Sequence, residues 1–231
     1  MKKWVPLLLC VAVCLAITAC ASVSRLDPYE LWGSRLAGRM LPPPEPQVRV
    51  TYDVSWDSRH LVHTALSVLT NLAKASQAEK ADAAMREALD RVDIPRIVFD
   101  QALGSCAEAI GATRVAEGEP ADFLLQLDIR SWGIRADSPD ASVTLHMEVS
   151  AGLFRSLDGE QLWARNLTVD QPASPSMFGL GDIVGTMVTA TTLSEMSPEA
   201  LADGFTSMAR SAARETTRLL QRDLDRARYN G

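Results

Sequence analysis

The sequence predicts an α+β fold, a mostly antiparallel sheet packed on one face by amphipathic helices, and three observations carry that prediction. Residues 123–169 hold runs in which apolar and polar side chains alternate, the period of strands with one buried face. Residues 58–92, 94–110 and 198–219 repeat apolar side chains every three or four positions, the period of helices with one buried stripe. Asp158-Gly159 between two of the alternating runs is a tight-turn signal, so neighbouring strands run antiparallel.

The amino terminus stands apart from this domain. Met1-Lys2-Lys3 is basic, residues 5–17 are almost wholly apolar, and small residues follow, which is the order of a secretory signal. The apolar run is about thirteen residues against the roughly twenty that a spanning helix needs, and Pro6 interrupts it, so it reads as a removed segment. Ile17-Thr18-Ala19-Cys20 resembles the lipobox of bacterial lipoproteins, whose cysteine sulfur takes a diacylglycerol before cleavage. The resemblance implies cleavage between Ala19 and Cys20 and a lipid on Cys20; the alternative is an ordinary signal peptide ending near Ala19 or Ala21. Cys10 and Cys14 leave with the signal, so Cys20 and Cys106 remain and no intramolecular disulfide is expected. Inner-membrane lipoproteins of Gram-negative bacteria often carry aspartate after the lipidated cysteine. Ala21 and Ser22 follow here, which by that resemblance implies the outer membrane, facing the periplasm.

The whole chain has 23 basic and 29 acidic side chains; without Lys2 and Lys3 the formal charge moves from −6 to −8. A nucleic-acid partner is excluded on that balance. The predicted organisation is a signal peptide at 1–19, a lipidated cysteine with a proline-rich tether at 20–47, and one α+β domain at 48–231. Pro42-Pro43-Pro44-Glu45-Pro46 is extended, polyproline-like backbone. Leu31, Trp32, Leu36, Met40 and Leu41 are more apolar than a pure linker requires, so part of the tether packs on the domain or lies at the lipid surface.

Val48, Val50, Tyr52, Val54 and Trp56 predict the strand that begins the domain. Leu61, Ala65, Val68, Leu69 and Leu72, then Ala81, Met85, Ala88 and Val92, predict two helices or one long broken one, with Asp82–Arg86 and Glu87–Arg91 spaced to pair on the outside. Asp93 before Ile94-Pro95 caps a further helix that stops at Gly111 and carries Phe99, Leu103, Cys106 and Ile110 on one stripe. That spacing makes Cys106 a small core residue. Phe123 to Trp132, Val143 to Ala151 and Gln161 to Val169 form a three-stranded meander. Ser197-Pro198-Glu199 starts the last helix, with Leu201, Phe205, Met208, Ala212, Thr216 and Leu219 on one face.

Ala121-Asp122-Phe123-Leu124-Leu125, the long second strand, the turn Asp158-Gly159-Glu160-Gln161-Leu162-Trp163-Ala164-Arg165 and the closing helix resemble a broad group of periplasmic lipoproteins. The group includes ABC-transport auxiliary lipoproteins, the curli-secretion lipoprotein and the TolB amino-terminal domain. The resemblance covers the second half of the mature chain and implies an α+β scaffold or assembly part; no catalytic residues come with it.

Chemistry-bearing motifs are sparse. His60 and His63 share a helical face, but only His146 remains as a third nitrogen ligand, in another element, so no metal is expected. No nucleophile elbow, phosphate loop or paired-cysteine motif occurs, and no cofactor is expected. An enzyme would need a cleft gathering residues such as His60, His63, His146 or Asp128. Two segments are candidates for contact with a partner or the membrane. Residues 177–188, with Phe178, Gly181, Val184 and Gly185, are apolar with a single charge and form either a lid or an interface. Arg210, Arg214, Arg218, Arg222 and Arg226 form a basic ribbon on the last helix, either a solvated face or a dock for an anionic surface, with Arg214 and Arg218 at its centre. The leading expectation is a non-enzymatic, membrane-anchored accessory, scaffold or assembly component of an envelope complex with an envelope protein as partner. A carrier of lipid or another apolar ligand is the alternative, and a hollow centre would mark it.

Overall fold

The computed structural model describes residues 24–50, 83–84, 86–137, 141–178, 188–189, 192 and 196–230. The signal peptide, Cys20, His60, His63, Gly181, Val184, Gly185, the strand beyond Val50 and most of the expected helical stretch 58–92 lie outside the described residues. The fold is α+β. Helix α1 (Pro28–Leu31) and strands β1 (Arg35–Met40) and β2 (Gln47–Val50) precede helix α2 (Ile94–Ile110) and strand β3 (Thr113–Arg114). Strands β4 (Phe123–Ala136), β5 (Thr144–Arg155) and β6 (Gln161–Pro172), a short 3-10 turn at Pro175–Phe178 and helix α3 (Pro198–Asn230) complete it.

The meander β4-β5-β6 is antiparallel throughout, with the expected turn: Gly159 takes a positive φ of 72°, and the Glu160 N–H donates to the Asp158 carboxylate at 3.0 Å. Register puts Leu125, Leu153 and Trp163 side by side, and two inward-facing rows along Ile129, Val149 and Leu167, on the inner face. Helix α3 presents Leu201, Phe205, Met208, Ala212, Thr216 and Leu219 to that core, all buried, as their spacing requires. Trp132 meets Phe205 edge to face, with ring centroids 5.9 Å apart. Helix α2 keeps its expected limits. Asp93 accepts from the Arg96 N–H at 3.0 Å, and Gly111 closes the helix in a left-handed conformation. Leu103, Cys106 and Ile110 are buried; Phe99 is half-buried beside them.

The first part of the chain corrects the expected tether. Residues 24–40 belong to the domain: Leu26, Leu31 and Leu36 are buried, and β1 lies inside the sheet between β3 and β4, parallel to both. The domain therefore begins with a strand at Arg35, ahead of the one expected at Val48. β1 and β2 are two pieces of one run along β4: β1 pairs with Phe123 to Leu127, β2 with Gly133 to Ala136. Between them stands the proline run, whose rings remove the N–H groups a ladder needs. The chain detaches there, and the Pro44 carbonyl accepts from the Trp132 indole at 2.9 Å instead. Gly133, at φ 142°, lets the β2 backbone at Gln47 approach more closely than any Cβ would permit.

Candidate functional site

The interior holds no room for a ligand between its layers, so far as the described residues show. Leu125, Leu127, Leu145, Met147, Leu153, Val98, Cys106, Phe205 and Met208 close the space between sheet and helices. At Gly38 on β1 a Cβ would stand 2.6 Å from Leu103 and 2.7 Å from Phe99, so helix and sheet touch with only a hydrogen between them. Phe178 is buried at 2% exposure with its ring against Gly204 of α3. It was a candidate surface contact; the structure makes it a core residue, because α3 leaves a glycine-sized recess where the apolar turn Pro175–Phe178 ends.

The Arg210–Arg226 ribbon is exposed along its whole length. Arg214 donates to the Ser211 hydroxyl at 2.9 Å and Arg218 to Glu215 at 2.7 Å, both within the helix. The Arg218 guanidinium holds the Glu215 carboxyl below the usual carboxylate range. Cys106 is wholly buried, 3.7 Å from the Thr217 hydroxyl, and burial pushes its thiol up to about 11, so it is no nucleophile.

Two polar clusters remain. The first lies on the face of the sheet away from α2 and α3, where three neighbouring strands place Ser131, His146 and Asp170 in line. The Ser131 hydroxyl is 3.2 Å from His146 Nε2, and His146 Nδ1 is 2.6 Å from the Asp170 carboxylate. Residue types and order of contact are those of a serine nucleophile with its base and orienting acid. Glu148 also faces Nε2, at 3.3 Å, so a carboxylate competes for the nitrogen that a base must keep for the serine. The hollow at this cluster, lined by Gln47, Ser131, Gly133 and His146, holds about 10 Å³, room for one water. Asp128 lies elsewhere, paired with Arg130 at 3.6 Å, and does not join it. Among the described residues no three His, Cys, Asp or Glu side chains are grouped to hold a metal ion.

The second cluster is at the end of the domain where the chain arrives. Asp223, buried on α3, accepts from the Trp163 indole at 3.0 Å and lies 2.8 Å from Arg165 Nε. Around it Ser24, Arg25, Leu26, Arg226 and Ala227 line an open cleft of about 440 Å³. Ser24 bridges to Trp163, and the Arg25 N–H donates to the Leu162 carbonyl at 2.7 Å, which fixes the arriving chain on the edge of β6. Sequence reasoning missed this cluster because its members come from three distant segments. The signal that was legible is Leu162-Trp163 after the Asp-Gly turn, read only as a hairpin with a buried aromatic.

No protein-family model matches the sequence, and no curated protein matches it. Solved structures overlap it in part. A Xanthomonas campestris protein of the family DUF330 is 19% identical over 59% of this chain and 64% of its own, with a TM-score of 0.38. This chain thus spans less than two thirds of that protein. A Caulobacter crescentus protein put forward as a lipoprotein is 15% identical, covering 55% of this chain and 82% of its own, with a TM-score of 0.30. The PelC dodecamer of Paraburkholderia phytofirmans is 11% identical over 81% of this chain and 93% of its own, with a TM-score of 0.31. At these scores the overlap is a partial likeness of shape.

Proposed function

We propose that the protein is a lipid-anchored component of the bacterial cell envelope, held through Cys20 on the outer membrane facing the periplasm, where its domain acts as a non-enzymatic accessory or assembly part of an envelope complex. One observation carries the reading. Among the described residues the first backbone pairing, at Ser24, comes four residues after the cysteine of the lipobox-like Ile17-Thr18-Ala19-Cys20. A lipid there holds the folded domain against the bilayer. Among the described residues no helix is long and apolar enough to cross a membrane. The side chains that fill the space between sheet and helices among the described residues favour a scaffold over a carrier of apolar ligands, since a lipid chain needs a cavity there.

Metabolic labelling with a radioactive fatty acid, read with the mass of the mature protein, tests the anchor. The expected result is label on the native chain, a mass starting at Cys20 with its acyl groups, and neither in Cys20→Ala. Fractionation of the envelope then assigns the membrane, and crosslinking in intact cells identifies the partner.

The alignment of Ser131, His146 and Asp170 supports a second reading, a serine hydrolase. A fluorophosphonate probe that labels the native protein and not Ser131→Ala would establish it. The Glu148 carboxylate on Nε2 and the one-water hollow argue that the cluster is instead a polar clasp across the three strands.

A further inference from the structure

The contour from Cys20 to Ser24 is four residues, at most about 14 Å of extended chain. Structure around Ser24 is therefore within reach of the headgroup layer once Cys20 carries lipid.

Among the described residues the exposed large hydrophobic side chains are Trp32, Leu157 and Tyr229, at 73%, 92% and 91% exposure. All three belong to this end of the domain. Leu157 forms the turn into β6, the strand that Ser24 joins, and it shares an open concavity of about 640 Å³ with Trp32. Tyr229 stands six residues beyond Asp223, about 9 Å further along α3 in the same direction. The Trp32 ring rests with one side on Gly111, whose missing Cβ makes room for it, and leaves its other side exposed.

Charge at this end departs from the acidic whole. Arg25, Arg165 and Arg226 line the cleft against the single carboxylate of Asp223, and the heads of Arg25 and Arg226 are largely exposed. The nearby acids are engaged: Glu30, Asp158 and Glu160 all converge on Arg155, at 3.1, 3.2 and 2.6 Å, and Glu160 also pairs with Arg25 at 3.4 Å. Aromatic rings with a polar edge are enriched at membrane–water interfaces, and arginine forks match phosphate oxygens.

We infer that this end, with Trp32, Leu157 and Tyr229 around the Arg25–Arg165–Arg226 cleft, lies on the phospholipid headgroup layer of the anchoring membrane, the three apolar side chains entering the interface and the cleft taking a lipid phosphate. The inference rests on the lipid-anchor reading and adds an orientation to it. The sheet stands on its end, and Phe178 with the start of α3 points away from the bilayer.

Cys106 is buried, so a cysteine placed at the surface of the lipidated protein is the one a fluorophore reaches. Bimane is attached at Leu157→Cys, Tyr229→Cys, Asp137→Cys and Asp203→Cys, and each protein is reconstituted in phosphatidylethanolamine–phosphatidylglycerol vesicles carrying a nitroxide on the headgroup. The expected result is loss of emission at 157 and 229 and retention at 137 and 203. Equal loss at all four positions, or none at 157 and 229, overturns the inference. So does a photo-crosslinker at Leu157 that yields a discrete protein adduct in cells while the vesicle probes stay bright, since a protein then owns the face. Pairing Arg25→Glu with Arg226→Glu is expected to restore emission at 229; unchanged quenching removes the phosphate assignment. Acyl groups are measured by mass on the same samples. Their absence defeats the anchor reading and the docking together, whereas their presence without quenching defeats the docking alone.

Discussion

Asp223 shows how much a single side chain can hold. It is buried on α3 and joins the last helix to the sheet through the Trp163 indole and the Arg165 guanidinium. Asp223→Ala leaves the partly buried Arg165 without its carboxylate and an indole N–H without its acceptor, a loss of about 3 kcal/mol for breaking such a pair. Urea denaturation is expected to show it as a lower midpoint at unchanged slope, with Trp163→Phe costing less. Cys106 gives a pH dependence at the same scale. Its thiol titrates near 9 when exposed and near 11 in the fold, so below pH 9 both states keep the proton and no stability is lost. Between those values only the unfolded state deprotonates, so stability falls as pH rises, by about 1.4 kcal/mol per unit. Cys106→Ala should flatten that part of the profile, and the native thiol should ignore maleimide at pH 8 until denaturant is added. At Gly38 a methyl must push aside the tips of Leu103 and Phe99, and Gly38→Ala is expected to cost about 1 kcal/mol or more by thermal or chemical denaturation.

Among the elements, β1 departs furthest from expectation. Its sequence Arg35-Leu36-Ala37-Gly38-Arg39-Met40 has too little alternation to announce a strand, and Gly38 weakens what there is. It forms because β4 offers an open edge and α2 packs over the glycine. Removing residues 24–41 from the mature chain should therefore not release a tether. The expected outcome is an aggregated or unfolded product, with loss of the cooperative transition in circular dichroism, because the cut exposes the flank of β4 and leaves Leu103 uncovered. A chain that kept a native-like melting curve would return this segment to the role of spacer. Helices α2 and α3 and the turn between β5 and β6 were legible in detail, whereas α1 and β3 were not. Asp93 and Gly111 bound α2, Asp158-Gly159 turns β5 into β6, and Ser197 opens α3, its hydroxyl accepting from the Ala200 N–H at 3.3 Å.

For the molecule as a whole, the absent spacer matters more than any one contact. A domain on a long tether samples all orientations; under the proposed anchor at Cys20, one that is paired into its sheet from Ser24 onward does not. The face of the sheet that carries no helix among the described residues then becomes a lateral surface at fixed height, with Ser150, Glu148, Asn166, Thr168 and Asp170 on it. If an envelope partner docks there, inserting glycine-serine repeats between Cys20 and Ser24 should weaken in-cell crosslinking from that face while leaving lipidation and thermal stability unchanged.

Periodicity, caps and turn residues by themselves determined α2, α3, the β4-β5-β6 meander and the burial of Cys106, since each depends on neighbours within a few residues. The lipobox resemblance likewise rests on four consecutive residues. Tertiary structure alone decided that residues 24–40 belong to the domain, that Phe178 is core, and that Ser131 meets His146 and Asp170 across three strands. It also gathered Arg25, Arg165, Asp223 and Arg226 at the end where the chain arrives. Those placements follow from parallel pairing and register between distant segments, and no local pattern encodes which open edge a weak strand will find.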